Sequence, residues 1–198
     1  MQSPTRTTEL EAVNVMLSVL GESPVNTLQP PYGVDVADAR NRLYETSKSV
    51  QAEGWVFNSE EQYPLSPDQD GHITVPENML SVDADTETAF DIVMRGSILY
   101  DRKNRTTIFT RAVKCEVVWM FPFDEIPEPA RQYIMIKAAR RFQARFLGSD
   151  SIHKFTEADE LRARVTLMND QGTTADVNIL NDPALSYTTR RHNPRRFR

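Results

Sequence analysis

The chain has 198 residues, 39% of them hydrophobic and 26% charged, enough for one substantial domain or two small ones sharing an interface, and too apolar for a disordered chain. Lys and Arg number 23 against 28 Asp and Glu, a formal net charge of -5, the wrong sign for a protein that grips nucleic acid over its whole surface. The charge is uneven: residues 173–198 hold Arg190, Arg191, Arg195, Arg196 and Arg198 against Asp176 and Asp182, a net +3, which leaves -8 on residues 1–172.

Taken in chain order, Thr8 and Glu11 have the spacing of a capping box, and Leu10, Val13, Leu17 and Leu20 then recur at helical intervals until Gly21. Pro24, Pro30, Pro31 and Gly33 predict a loop. Asp35 is placed to cap a second helix over 36–53, ended by Gly54, with a thin apolar stripe of Val36, Ala39, Leu43 and Val50. From Trp55 the period changes to two. Phe90, Ile92 and Met94 predict a strand, Arg95 and Gly96 a turn, Ile98 to Tyr100 the returning strand, and 101–104 a second turn. The clearest strand is Val113, Cys115, Val117, Trp119 and Phe121, with Lys114 and Glu116 on its other face. The short connections require mostly antiparallel pairing.

Pro122 and Pro127 close this region, and Pro129 suits the first turn of a third helix that runs to about Leu147. Ile134, Ala138, Phe142 and Phe146 form its apolar row. Lys137, Arg141 and Arg145 form a basic row beside it. Gly148 ends the helix, residues 149–151 supply caps, and a fourth helix carries Phe155, Ala158, Leu161, Val165 and Met168 on one face. After Gly172 periodicity stops, and Ile179, Leu180, Leu185, Tyr187 and Phe197 stand as isolated anchors. The expected fold class is α+β: a four-helix body with an inserted, mostly antiparallel β domain and an extended C-terminal arm. Its expected divisions are 8–54 with 128–170 for the helical domain, 55–127 for the β domain and 171–198 for the arm.

The residue types give little to catalysis. His72, His153 and His192 lie far apart, and Cys115, the lone cysteine, has no partner for a disulfide or a metal, so no cofactor or metal is expected. The seven glycines are too widely spaced for a phosphate-binding loop. No apolar run reaches the ~18 residues of a membrane span, and no signal peptide is expected. Asp68, Asp70 and Gly71 fit a solvated turn better than a calcium loop. Asp83, Asp85 and Glu87 alternate, and Asp124, Glu125 and Glu128 cluster. A glycan-degrading hydrolase would need two such separated carboxyl groups in a cleft, whereas edge protection and helix N-terminal charge explain them without one. The basic row has two readings, contact with nucleic acid or pairing with Glu157, Asp159 and Glu160. The arm, with five arginines, Tyr187 and Phe197 but no periodic face, has the composition of a segment that orders on a partner.

Four segments in order then resemble a known family: LGESPVNTL (20–28), GWVFN (54–58), LYDR (99–102) and FDEIPEPARQYIMIKAARRFQARFLG (123–148). Across about 8–170 the chain resembles the tail tubular A adaptors of short-tailed podophages of the autographivirus type. The resemblance implies a virion structural protein rather than an enzyme, made in the host cytoplasm and built into the tail. It implies a ring of this chain, typically twelve copies, joining portal protein to tail nozzle protein, continuing the channel for double-stranded DNA and helping to anchor tail fibres. In that setting Arg190, Arg191, Arg195, Arg196, Phe197 and Arg198 are expected to dock on a neighbouring subunit or the portal, and Lys137, Arg141 and Arg145 to face the channel or an interface. A tail-associated glycan hydrolase is the alternative.

Overall fold

A computed structural model of the chain describes residues 5–85, 90–146 and 155–174, with the side chains of Arg145 and Phe146 left out. The C-terminal arm beyond Thr174, the interval 147–154 and Glu87 therefore lie outside the described residues, while residues 171–174, expected to begin the arm, belong to the last helix. Within them the architecture is α+β. The helices are α1 (Glu9–Val19), α2 (Val34–Gln51), α3 (Glu128–Phe146) and α4 (Glu157–Thr174), and between α2 and α3 lie five strands, β1 (Ser59–Leu65), β2 (Met79–Ala84), β3 (Ile92–Arg95), β4 (Ile98–Asp101) and β5 (Val113–Trp119).

Helix α1 starts as its sequence requires. Thr8 Oγ1 accepts from the Glu11 N–H at 3.2 Å, and a Glu11 carboxylate oxygen accepts from the Thr8 N–H at 2.9 Å, so two amides at the open end are satisfied reciprocally. Helix α2 differs from expectation. Its N-cap is Gly33, which gives no side-chain bond, and Asp35 lies inside the first turn, where its charge still favours the positive end of the helix dipole. All four stripe residues, Val36, Ala39, Leu43 and Val50, are buried.

Helix α3 packs against α1, α2 and α4, and this central position changes its character. Besides Ile134, Ala138 and Phe142, it buries Arg131, Tyr133, Met135, Lys137, Ala139 and Gln143, so a helix that reads as two-faced is enclosed nearly all round. Helix α4 departs further. Of the expected face, Phe155 packs in part on the core, but Leu161, Val165 and Met168 are exposed; the buried side presents Leu167 and Gln171. The fourth apolar row points away from the body.

The sheet region has its own core of Leu65, Ile73, Val75, Ile92, Leu99, Phe109, Val113, Cys115 and Val117 among others. A three-stranded sheet has the order β1-β5-β2, and β3 pairs with β4 in a separate hairpin; every pairing is antiparallel. In β5, Val113, Cys115 and Val117 are buried while Lys114 and Glu116 are exposed, the alternation that its sequence predicts. Phe121 leaves the sheet and packs on the helical core. The hairpin turn is Gly96-Ser97 rather than Arg95-Gly96, because Arg95 pairs with Ile98. Gly96 adopts φ +63°, the positive value at the first turn position that fits the twist of two-residue hairpins. Strand β1 is irregular. Its register against β5 shifts between Glu60 and Tyr63, where Gln62 has φ +54°.

Candidate functional site

The two regions are stitched where the chain crosses between them. Gln51, fully buried at the end of α2, donates from Nε2 to the Phe121 carbonyl at 3.0 Å and accepts at Oε1 from the Phe121 N–H at 2.8 Å. Asn58 donates from Nδ2 to the carbonyls of Gln51 and Trp119 at 2.8 and 2.7 Å, and its Oδ1 accepts from the Trp55 N–H at 2.8 Å. Two side-chain amides thus satisfy the backbone of the outgoing and returning crossings together.

The start of α3 is fixed in the same manner. Arg131 is 3% exposed, and its guanidinium donates to the carbonyls of Ile126 at 2.7 Å, of Thr7 at 2.8 Å and of Asp124. Glu128 accepts from the Thr7 N–H and Oγ1 and from Gln132 Nε2. Burial pushes the Glu128 pKa up, but these donors and the nearby Arg131 outweigh it and hold the carboxyl below its ordinary value. Asp124 accepts from the Glu9 N–H at 3.0 Å. The acidic cluster at this junction therefore ties the N-terminal segment to α3.

The basic row of α3 is split. Lys137 is 9% exposed, and its Nζ lies 3.0 Å from Tyr133 Oη and 3.7 Å from a Glu53 carboxylate oxygen. Arg164 of α4 joins them, donating to Tyr133 Oη at 3.0 Å and to Glu53 at 2.8 Å, contacts that raise its pKa, the Tyr133 bond first and Glu53 next. Lys137 thus shares the Glu53 carboxylate and the Tyr133 hydroxyl with Arg164 inside the subunit. Arg141 is exposed, and Arg140, outside the expected row, forms the ion pair with Glu160 of α4. Arg190, Arg191, Arg195, Arg196, Phe197 and Arg198 lie outside the described residues.

The remaining candidate groups have local roles. Asp68 Oδ1 accepts from the N–H groups of Asp70 and His72 at 2.9 and 2.8 Å, a side-chain-closed turn. Asp83 stands directly opposite Glu116 on the paired strands, a like-charge pair that the sheet tolerates on an exposed face at some cost. Burial, with Asp83 and Asp85 adding to it, pushes the Cys115 thiol up to about 11. Among the described residues no three His, Cys, Asp or Glu converge as a metal site, and no helix is long and apolar enough to cross a membrane.

Two uncovered surfaces stand out instead. One is the exposed row of α4. The other is a groove of about 670 Å³ along α2, walled by Tyr32, Leu43, Tyr44, Met120, Phe121 and Phe123. Tyr44 is 61% exposed there. Their meaning was hard to see in the sequence, since an apolar row at helical spacing reads as core whichever way it faces. The one sequence signal is that α4 offers buried-side residues of mixed character, Ala163, Leu167 and Gln171, beside a cleaner row.

Among the described residues the uncovered features, the α4 row and the α2 groove, are apolar surfaces of the kind that packs on another element. The chain belongs to the tail tubular protein family, which it matches over residues 10–177. Over 147 residues it is 33% identical to tail tubular protein A of Klebsiella phage KP34, an alignment that covers 72% of this chain and 75% of that relative. The protein is accordingly a structural component of a phage tail.

Proposed function

We propose that this chain is the adaptor between portal and tail nozzle, assembled as a closed ring, typically of twelve copies, that continues the DNA channel and helps to anchor tail fibres. The observation that carries the reading is a subunit of the tail tubular family with two uncovered apolar surfaces on different sides of its helical body, the requirement for head-to-tail ring closure. The charge suits a channel as well. A body of net -8 repels the DNA phosphates and lets the duplex slide, where a basic lining would bind it and release counterions.

In this arrangement the helical domain (8–54 and 128–170) meets neighbours and portal, the β domain (55–127) meets nozzle or fibres, and the arm (171–198) docks through Arg190, Arg191, Arg195, Arg196, Phe197 and Arg198. Arginine forks suit carboxylate partners. Arg141 remains a channel or interface residue, with Arg145 on the same helix. Truncation after Gly172 is expected to leave a folded subunit that no longer binds a portal ring in pull-down or negative-stain imaging. Unchanged portal binding by the truncated protein would refute the arm's role. Asp83→Lys with Glu116→Lys should spare portal binding and reduce nozzle attachment, and the reverse pattern would count against the placement of the β domain.

A further inference from the structure

Helix α4 turns a continuous apolar seam to solvent. Ala158, Leu161, Val165, Met168 and Gly172 follow alternating steps of three and four, the repeat of a helix covered along its length by another element. Leu161, Val165 and Met168 are 60%, 47% and 54% exposed, and from Ala158 to Gly172 the seam runs about 21 Å at ~1.5 Å per residue. Single exposed apolar side chains are ordinary, but an aligned row is not. The hollow that could take such a ridge is on the same subunit, in the groove along α2, and no residue of α4 lines it.

We propose that the α4 seam of one copy seats in the α2 groove of a second copy. Ridge and groove lie on separate surfaces of one chain, so each pairing leaves a free ridge at one end and a free groove at the other, and the contact propagates. Charge does not oppose the pairing: beside the seam Arg162 pairs with Asp159, and at the groove Arg40 pairs with Glu9 and Glu45 with Arg42 within the same chain, so neither border carries an unbalanced charge. The other available occupant is the segment 175–198, which leaves from the end of α4 and is long enough to turn back over it at ~3.3 Å per residue. Its sequence, with Pro183 and Pro194 and no apolar row at three- and four-residue steps, offers the seam no match. The inference deepens the ring reading and rests on it.

Site-directed cross-linking of the full chain tests the contact. Val165→Cys and Tyr44→Cys are made separately, Cys115 being fully buried, and mixed under mild oxidation. Dimers linking one variant to the other should exceed self-linked dimers roughly tenfold, the ratio given by a preference of about 1.4 kcal/mol. Self-linked Val165→Cys in excess would put a second α4 on the seam and overturn the proposal, as would no excess of either kind. So would mixed cross-links that form only after truncation at Thr174, which would assign the cover to the arm. Leu161→Glu and Tyr44→Glu, both at exposed positions, should each block growth beyond the monomer, yet yield a 1:1 dimer when mixed, because one intact ridge and one intact groove remain; failure of the mixture to dimerise counts against the pairing. Portal binding is read separately. Cross-links without portal binding would spare this contact and remove the adaptor reading, and portal binding without cross-links would do the reverse.

Discussion

A carboxylate with no exposed surface is destabilising unless donors surround it, and Asp101 has them. It accepts from the N–H groups of Asp91, Lys103 and Asn104 and from Asn104 Nδ2, at 2.6 to 3.4 Å, closing the turn that follows β4. Burial pushes its pKa up, but the hydrogen bonds from Asn104 and the backbone outweigh burial and set it below the ordinary value. In acid the unfolded chain, titrating near about 3.9, therefore binds more protons than the folded one. The stabilisation is complete above that value and is lost as the pH falls through the lower folded value. Asp101→Asn is expected to cost about 1–3 kcal/mol at neutral pH, with the gap to wild type narrowing below about pH 4. Urea unfolding in neutral and acidic buffer measures both, and a gap independent of pH would exclude the charge as its source.

At the scale of elements, two leucines of α4 make opposite predictions. Leu167 is fully buried and Leu161 is 60% exposed. Leu167→Ala should cost about 2–5 kcal/mol through lost burial and a cavity, whereas Leu161→Ala in the isolated subunit should stay within about 0.5 kcal/mol. Equal costs in denaturant unfolding would mean that the seam is already covered. The same helix marks how much the sequence disclosed. The capping box of α1, the stripe of α2 and the alternation of β5 are local patterns, and each was legible because one periodic signal determines one buried face. Strand β1 was not, since SEEQYPL lacks alternation and its place follows from pairing with β5. The α4 row was legible as a row but not as a surface, because burial depends on which neighbours arrive. The surroundings of Lys137 were hidden for a related reason: Glu53, whose carboxylate it shares with Arg164, lies far away in sequence, and only tertiary packing brings the three charges together.

For the molecule as a whole, two apolar cores share one junction, and Gln51 and Asn58 are buried there. Gln51→Ala removes the bonds to both polar groups of Phe121 and should separate the unfolding of the helical body from that of the sheet. Far-UV circular dichroism, dominated by the helices, and the fluorescence of a Trp55→Phe variant, which leaves Trp119 of β5 as sole reporter, should coincide in the parent and diverge once Gln51 is changed. Coincident curves in both would place the coupling elsewhere. The irregular edge of β1 has a consequence for crowding. Glu60, Glu61, the positive φ of Gln62 and the missing amide hydrogen of Pro64 leave no continuous row of backbone donors along that border. Where many copies are held side by side, a strand open on one side invites irreversible zipping of sheet to sheet. The β1 border resists that zipping, and a copy brought against it finds side chains rather than an open ladder of hydrogen bonds.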